Sequence, residues 1–272
     1  MASSSWLPSA LAAVMILGPA GASPRQPYDL ASRPMPAAAA PAPLVTESVP
    51  SGVPARAARA AVLSPAMARA NAISQVAALS YLRRIHPAAA KDLLASQRAQ
   101  IRNYFCGPAT VSEMLAQMHV VLPQLAAARE LRTTPSGTDW SNARGYPVAK
   151  VLNANQKVRT YVAVALPWVP TAAQIKTFET DLVADINDGA GVPIAGNAYE
   201  APGGPHLVGH PPGQTIMHWF DIRGYSQSGA IADYEDSVHG AASIGWSVAV
   251  PAYSSLSSVA IVDIVGARGY VW

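Results

Sequence analysis

The chain has 272 residues, 19 basic and 16 acidic, a formal net charge of +3, and a hydrophobic half. This allows one domain of ordinary size plus extra segments, with a substantial core. So small a net charge is no argument for nucleic acid, the single cysteine excludes an internal disulfide, and no segment reaches the roughly 18 uninterrupted apolar residues of a membrane span.

The chain starts with an apolar run, Leu11 to Leu17, followed by the small residues Pro19-Ala20-Gly21-Ala22-Ser23. This pattern predicts a signal peptide over 1–22, cleaved after Ala22, and hence a secreted, extracellular protein. Met1–Pro8 carries no Lys or Arg, which departs from the usual leader. Residues 23–56 are rich in Pro, Ala and Ser and read as a linker or the start of a propeptide, because they cannot bury enough surface to offset their ordering entropy.

Residues 57–96 are Ala-rich, with Ile73, Val76, Leu79, Leu82 and Ile85 at helical spacing. Pro87 is expected to break the segment into two helices. It is either a prosegment or an integral part of the fold. Between residues 50 and 105, Arg56, Arg59, Arg69, Arg83, Arg84, Lys91, Arg98 and Arg102 stand against Asp92 alone. Such a run is ordinarily a solvated helix face; the functional alternative is contact with an anionic cell surface.

Residues 97–272 read as one α+β domain. Val111, Met114, Leu115 and Met118 recur on one helix face. A helix is expected over 124–131, a loop at Gly137 and Asp139, a helix near 143–153 and a strand over 160–166. Thr171 and Gln174 form a capping-box pattern ahead of the stripe Ile175, Phe178, Leu182, Val183 and Ile186, with Gly189 as the expected stop. A strand over 192–199 and a Gly/Pro-rich loop over 201–213 follow. Next comes a hairpin of 218–224 and 230–236, turning at Gln227-Ser228-Gly229. A strand over 247–250, a short helix near 252–259 and a last edge strand ending at Trp272 complete the expectation.

The chemistry concentrates in Gln100-Ile101-Arg102-Asn103-Tyr104-Phe105-Cys106-Gly107-Pro108-Ala109-Thr110. Pro is tolerated in the first helical turn, so Cys106-Gly107-Pro108 puts the sulfur at a helix start. There the positive end of the dipole favours a thiolate, which is a competent nucleophile. Gln100 can fold back over that start and, with the Cys106 N–H, hold an oxyanion. A thiolate needs a proton shuttle, and His218 at the head of an apolar strand is the candidate. A hairpin centred on Gln227 pairs His218 with Asp236 and Asp221 with Asp233, which selects Asp236 over Asp233 to orient the ring unless a bulge intervenes.

Gln100-x5-Cys106-Gly107-Pro108-Ala109, His218 opening a strand that ends in Gly224-Tyr225, and Asp236-Ser237 together resemble the bacteriocin-processing (double-glycine-leader) cysteine peptidases, in particular their secreted, stand-alone relatives. The resemblance covers about residues 97–272. It implies a papain-like fold, with a helical lobe carrying the nucleophile packed on an antiparallel sheet. It also implies Cys106 as nucleophile, His218 as base, Asp236 as orienting acid and Gln100 as oxyanion donor. The chain has no P-loop and no transporter bundle, and its nucleophile segment is not the Asp-Cys-Ser of cell-wall peptidases. A double-glycine specificity and a peptidoglycan substrate are therefore not carried over.

His206 and His210 share a loop, but zinc needs three or four ligands and no others stand nearby in sequence, so the loop is expected to rim a substrate cleft. Met114 and Met118 are core by spacing. The reading is a monomeric secreted thiol protease or amidohydrolase acting on a peptide or protein, with no cofactor, no metal and no nucleic acid. Its rivals are an acyl or peptidyl transferase on the same scaffold and a non-catalytic binding protein with a degenerate cleft.

Overall fold

Side chains along a strand point alternately to opposite faces. In the C-terminal half of this chain both alternating sets are apolar, so a sheet built from these segments has to be covered on both sides. The computed structural model describes residues 62–189 and 191–272; the expected signal peptide and the Pro/Ala-rich stretch over 23–56 lie outside them.

The described elements run α1 (Pro65–Ile85), β1 (Lys91–Asp92), α2 (Cys106–Gln117), α3 (Gln124–Leu131), α4 (Pro147–Asn155), β2 (Ala163–Ala165) and α5 (Ala172–Asn187). They continue with β3 (Ile194–Glu200), β4 (Ile216–Ser226), β5 (Ile231–Glu235), β6 (Tyr253–Ser257), α6 (Ser258–Ile264) and β7 (Gly269–Val271). The strands form one antiparallel sheet in the order β2-β7-β3-β4-β5-β6, with β1 paired to β4 beside that path. The class is α+β.

Alternation divides the sheet between two cores. Ile194, Phe220, Ile222, Tyr270 and Trp272 join Phe178, Leu182 and Ile186 of α5 and Ile261, Val262 and Ile264 of α6 on one side. Ala195, Trp219 and Val271 join Val111, Met114 and Leu115 of α2, with α3 and α4, on the other. Each large side chain buried this way contributes about 1.5–3 kcal/mol. Helices therefore cover both faces, one layer more than the single helical lobe the sequence suggested.

α1 packs on α5 and β2. It does so through Met67, Ala70, Ala78 and Leu82, leaving Ile73 and Val76 exposed. Small alanines let the helix approach closely, so the larger residues of the expected stripe face outward. Trp272 donates its indole N–H to Asn71 (2.9 Å) and Tyr81 its hydroxyl to the Asn187 carbonyl (2.6 Å), tying the helix to the body. Pro87 does not divide two helices. α1 stops at His86, in the left-handed conformation, and the chain reaches β1 without a second helix.

Other expectations are corrected. α5 carries the Thr171–Gln174 capping box, but its last turn closes on extended Asp188; the left-handed glycine is Gly191, not Gly189. The region 247–250 is a 3₁₀ turn, not a strand. The region 252–259 is strand β6 followed by α6, whose start is capped by the Ser257 hydroxyl accepting from Ala260 N. β7 is interior, between β2 and β3, not an edge. Among the described residues no helix is long and apolar enough to cross a membrane.

The hairpin register also differs. Asp221 pairs with Glu235 and Ile222 with Tyr234, then a shift at Arg223 puts Gly224 opposite Asp233. A bulge inserts one unpaired residue and increases the local twist. His218 and Asp236 are therefore not cross-strand partners: Asp236 lies just past the end of β5, its N–H bonded to Ala252 O (3.1 Å).

Candidate active site

Cys106 is the first residue of α2. The residue before it, Phe105, offers no side-chain cap, so the free N–H groups and dipole of this terminus act on whatever lies at its end. The backbone N–H groups of Gly107 and Trp219 help to lower the thiol, and Pro108 takes a first-turn position where a missing N–H costs nothing. Gly107 is required: a Cβ there would run into the Thr138 side chain. Thr138 in turn accepts the Trp219 indole N–H on its carbonyl at 3.1 Å, and the Trp219 ring stacks on Trp140 (5.8 Å).

β4 brings His218 against the sulfur. Its Nε2 lies 3.0 Å from Asp236 Oδ1, so the imidazole faces Cys106 through its other nitrogen. Asp236 Oδ1 also accepts the Val238 N–H at 2.8 Å. Cys106 is 8% exposed and His218 3%. Burial pushes the thiol up, but the hydrogen bond and charge of His218 outweigh it and the net shift is downward. Burial also opposes charge on His218, yet the Asp236 carboxylate and Cys106 raise the ring well above the ordinary imidazole range. For Asp236 burial is overcome by His218 and His210, which hold its carboxyl well below the usual carboxylate range. The two shifts run in opposite directions, the thiol down and the imidazole up, and both favour proton transfer from Cys106 to His218.

Gln100 is buried beside this group, its N–H on Ser237 O (2.8 Å). Its side-chain Nε2 donates to Arg102 O (2.8 Å), and its Oε1 accepts from Ser237 Oγ (3.2 Å). Asp233 is elsewhere, opposite Gly224, where its carboxylate accepts from the Ser255 hydroxyl.

His210 is the residue sequence reasoning left in the loop. Its Nε2 lies 2.9 Å from Asp236 Oδ2 and its Nδ1 2.9 Å from both oxygens of Glu200, the last residue of β3. Its glycyl and prolyl neighbours give no pointer to this contact, since a loop's path cannot be read from periodicity. His206 is a loop brace, its ring nitrogens 2.9 Å from Gly204 O and 3.2 Å from Gln214 O. The ligating atoms of His210, His218 and Asp236 lie within 4.8 Å of one another. Each imidazole is nevertheless matched to its own Asp236 oxygen at hydrogen-bond length, an arrangement that does not call for a cation.

A second group, Glu113 of α2, Asp221 of β4 and Glu235 of β5, sits between that helix and the sheet, fully buried and within the same 4.8 Å span. Gln117 Nε2 donates into it, 2.6 Å to Asp221 Oδ2 and 3.2 Å to Glu235 Oε1, and Ser96 Oγ donates to Glu235 Oε1 at 2.6 Å. Burial first, then mutual repulsion, pushes Glu113 and Asp221 well above the carboxylate range. The shift of these two favours their protonated forms over buried charges.

No family model matches the chain, and no curated protein does. Among solved structures, a Bacillus anthracis protein described as a candidate C39-like peptidase aligns at 12% identity, covering 66% of this chain and 96% of its own, with a TM-score of 0.41. A likeness that distant carries no functional weight, and the reading of the site rests on its own geometry.

Proposed function

We propose that the chain is a cysteine hydrolase of peptide or other amide bonds, with Cys106 as nucleophile, His218 as acid–base, Asp236 as orienting acid and Gln100 as oxyanion donor. The observation that carries this reading is a helix-start cysteine against an imidazole whose far nitrogen is 3.0 Å from a buried carboxylate. In this reading the Cys106 sulfur bonds to the carbonyl carbon and the carbonyl π electrons move to oxygen. The Cys106 N–H and the second hydrogen of Gln100 Nε2 hold that oxyanion. His218 gives its proton to the departing amine as the C–N bond breaks, leaving an acyl thioester. It then takes a proton from water, whose oxygen displaces sulfur, and the thiolate returns as the acid leaves. Asp236 keeps the ring oriented throughout.

Secretion, the resemblance to stand-alone relatives of leader-processing peptidases, and contact of the basic stretch with an anionic surface belong to the same proposal. They rest on the sequence patterns alone. The test is digestion of a peptide library by the wild-type chain and by Cys106→Ala, read by mass spectrometry. Cleavages made by the first and not the second are expected. Identical peptide maps would sink the hydrolase.

A further inference from the structure

A neutral imidazole has one N–H and one lone pair, whereas an ionised carboxylate only accepts. Both nitrogens of His210 face carboxylates, Glu200 on one side and Asp236 on the other, at 2.9 Å each. All three side chains are almost wholly buried. A ring that donates to an acceptor from each of its two nitrogens is the imidazolium. Burial works against that charge, but the bonds from Asp236 and Glu200 outweigh it and raise the ring.

Asp236 then has no idle oxygen. Oδ1 takes His218 and the Val238 N–H, and Oδ2 takes His210. The loop holding His210 is itself pinned: Gly209, in the left-handed region, lies so close to Ala249 and Val250 backbone that no side chain fits. The Trp246 ring packs on the imidazole edge at 4.8 Å. The titratable groups around His210 are Glu200 from β3, His218 from β4, Asp236 after β5, and His206 of its own loop through Glu200 (3.9 Å).

We propose that His210 is a positioning residue for the thiol site: clamped by Glu200, it holds the second oxygen of Asp236 so that the first stays aimed at His218. The inference rests on the Cys106–His218 reading above and extends it to a five-membered line, Glu200–His210–Asp236–His218–Cys106.

The test is the pH profile of Cys106 alkylation by iodoacetamide in the full chain, measured in wild type, His210→Ala and His210→Gln, with thermal melts to establish folding. In wild type a reactive limb is expected below the ordinary thiol range. In His210→Ala that limb should move up by about one pH unit, a roughly tenfold loss of rate on the acid side. In His210→Gln the amide still donates to Asp236, and most of the limb should return. A second measurement needs no variant: nitrogen-15 NMR of the histidines should show His210 protonated on both nitrogens at neutral pH. A folded His210→Ala with the wild-type profile, a His210→Gln no better than Ala, or a neutral His210 in the spectrum overturns the clamp while leaving the thiol site standing. An ordinary thiol profile in wild type overturns both.

Discussion

Replacing His218 by Ala separates a primed thiol from an ordinary one without any substrate. At pH 6 a thiol at the unperturbed value of 9.0 is ionised about one part in a thousand. Pairing with an imidazolium can therefore raise the thiolate population at that pH by at most about 10³. Nucleophilicity falls with thiol basicity with a Brønsted slope of about 0.4–0.5, which over three units offsets roughly 20-fold. The ceiling on the gain in alkylation rate at pH 6 is thus about 50-fold. With one cysteine in the chain, intact mass counts a single adduct and the rate follows from its growth. The wild-type rate should stay nearly flat on the acid side of the ordinary thiol, down to the lowered Cys106 value, and His218→Ala should lose about tenfold to fiftyfold at pH 6. Its profile should rise only as the solution approaches the ordinary thiol range. Two superimposable profiles, or a thiol that reacts in neither chain until denaturant is added, would refute the pairing.

Gln100→Ala should lower kcat on any cleaved peptide by about 10²–10³ while leaving the alkylation profile of Cys106 in place; a parallel loss in both would mean Gln100 supports the fold and not the oxyanion. Gly107→Ala should cost about 1–3 kcal/mol by overpacking, and Thr138→Ala in the same chain should recover most of it in thermal melts, since Thr138 is what the new methyl meets. Asp181, buried and accepting the Tyr270 hydroxyl at 2.7 Å, is raised first by burial from 3.8 to about 7. The folded state then holds a proton that the unfolded state gives up, so stability is lost as pH rises from about 4 to about 7, by on the order of 4 kcal/mol at most. Asp181→Asn should shrink the difference between urea midpoints at pH 4 and pH 8; an unchanged difference would show that Asp181 does not titrate there.

What the sequence made legible was local. The helix at 124–131 and the capping box at Thr171 follow from spacing and from one side chain meeting one backbone group, and both are in the structure. The hairpin turn at 227–229 follows from its residue types. The bulge at Arg223 does not, because an unpaired residue leaves no trace in a period-two pattern. His218 and Asp236 lie 3.0 Å apart all the same, as diagonal neighbours beyond the end of the paired ladder rather than as opposite ones. The segments around 247–264 escape assignment because short apolar runs with Ser fit strand and helix alike. His210 and Glu200 are out of reach for a different reason. Their meeting depends on where a loop of Gly and Pro folds back, and no periodicity encodes that.

The proposed line from Glu200 to Cys106 would explain how a thiol so nearly buried could be reactive. A thiolate in this surrounding would on its own be driven back to the thiol by desolvation, and an isolated buried imidazolium would lose its proton. In the proposed line, imidazoles that donate alternate with groups that accept, in the order Glu200, His210, Asp236, His218, Cys106, and this changes that balance. Each interior member has a hydrogen-bonding partner on both sides. Asp236 stays ionised because two imidazoles face it, and His218 can keep a proton because Asp236 stays ionised. Under this proposal the thiol end of the line would draw its charge from the far end. A helix dipole at Cys106 adds to the effect, but its contribution fades within the first turn, whereas the alternation reaches through β4 and the end of β5 to β3. A proton leaving the thiol would then be held by a network drawn from β3, the loop after it, β4 and the residue just past β5, a spread that no single sequence motif displays.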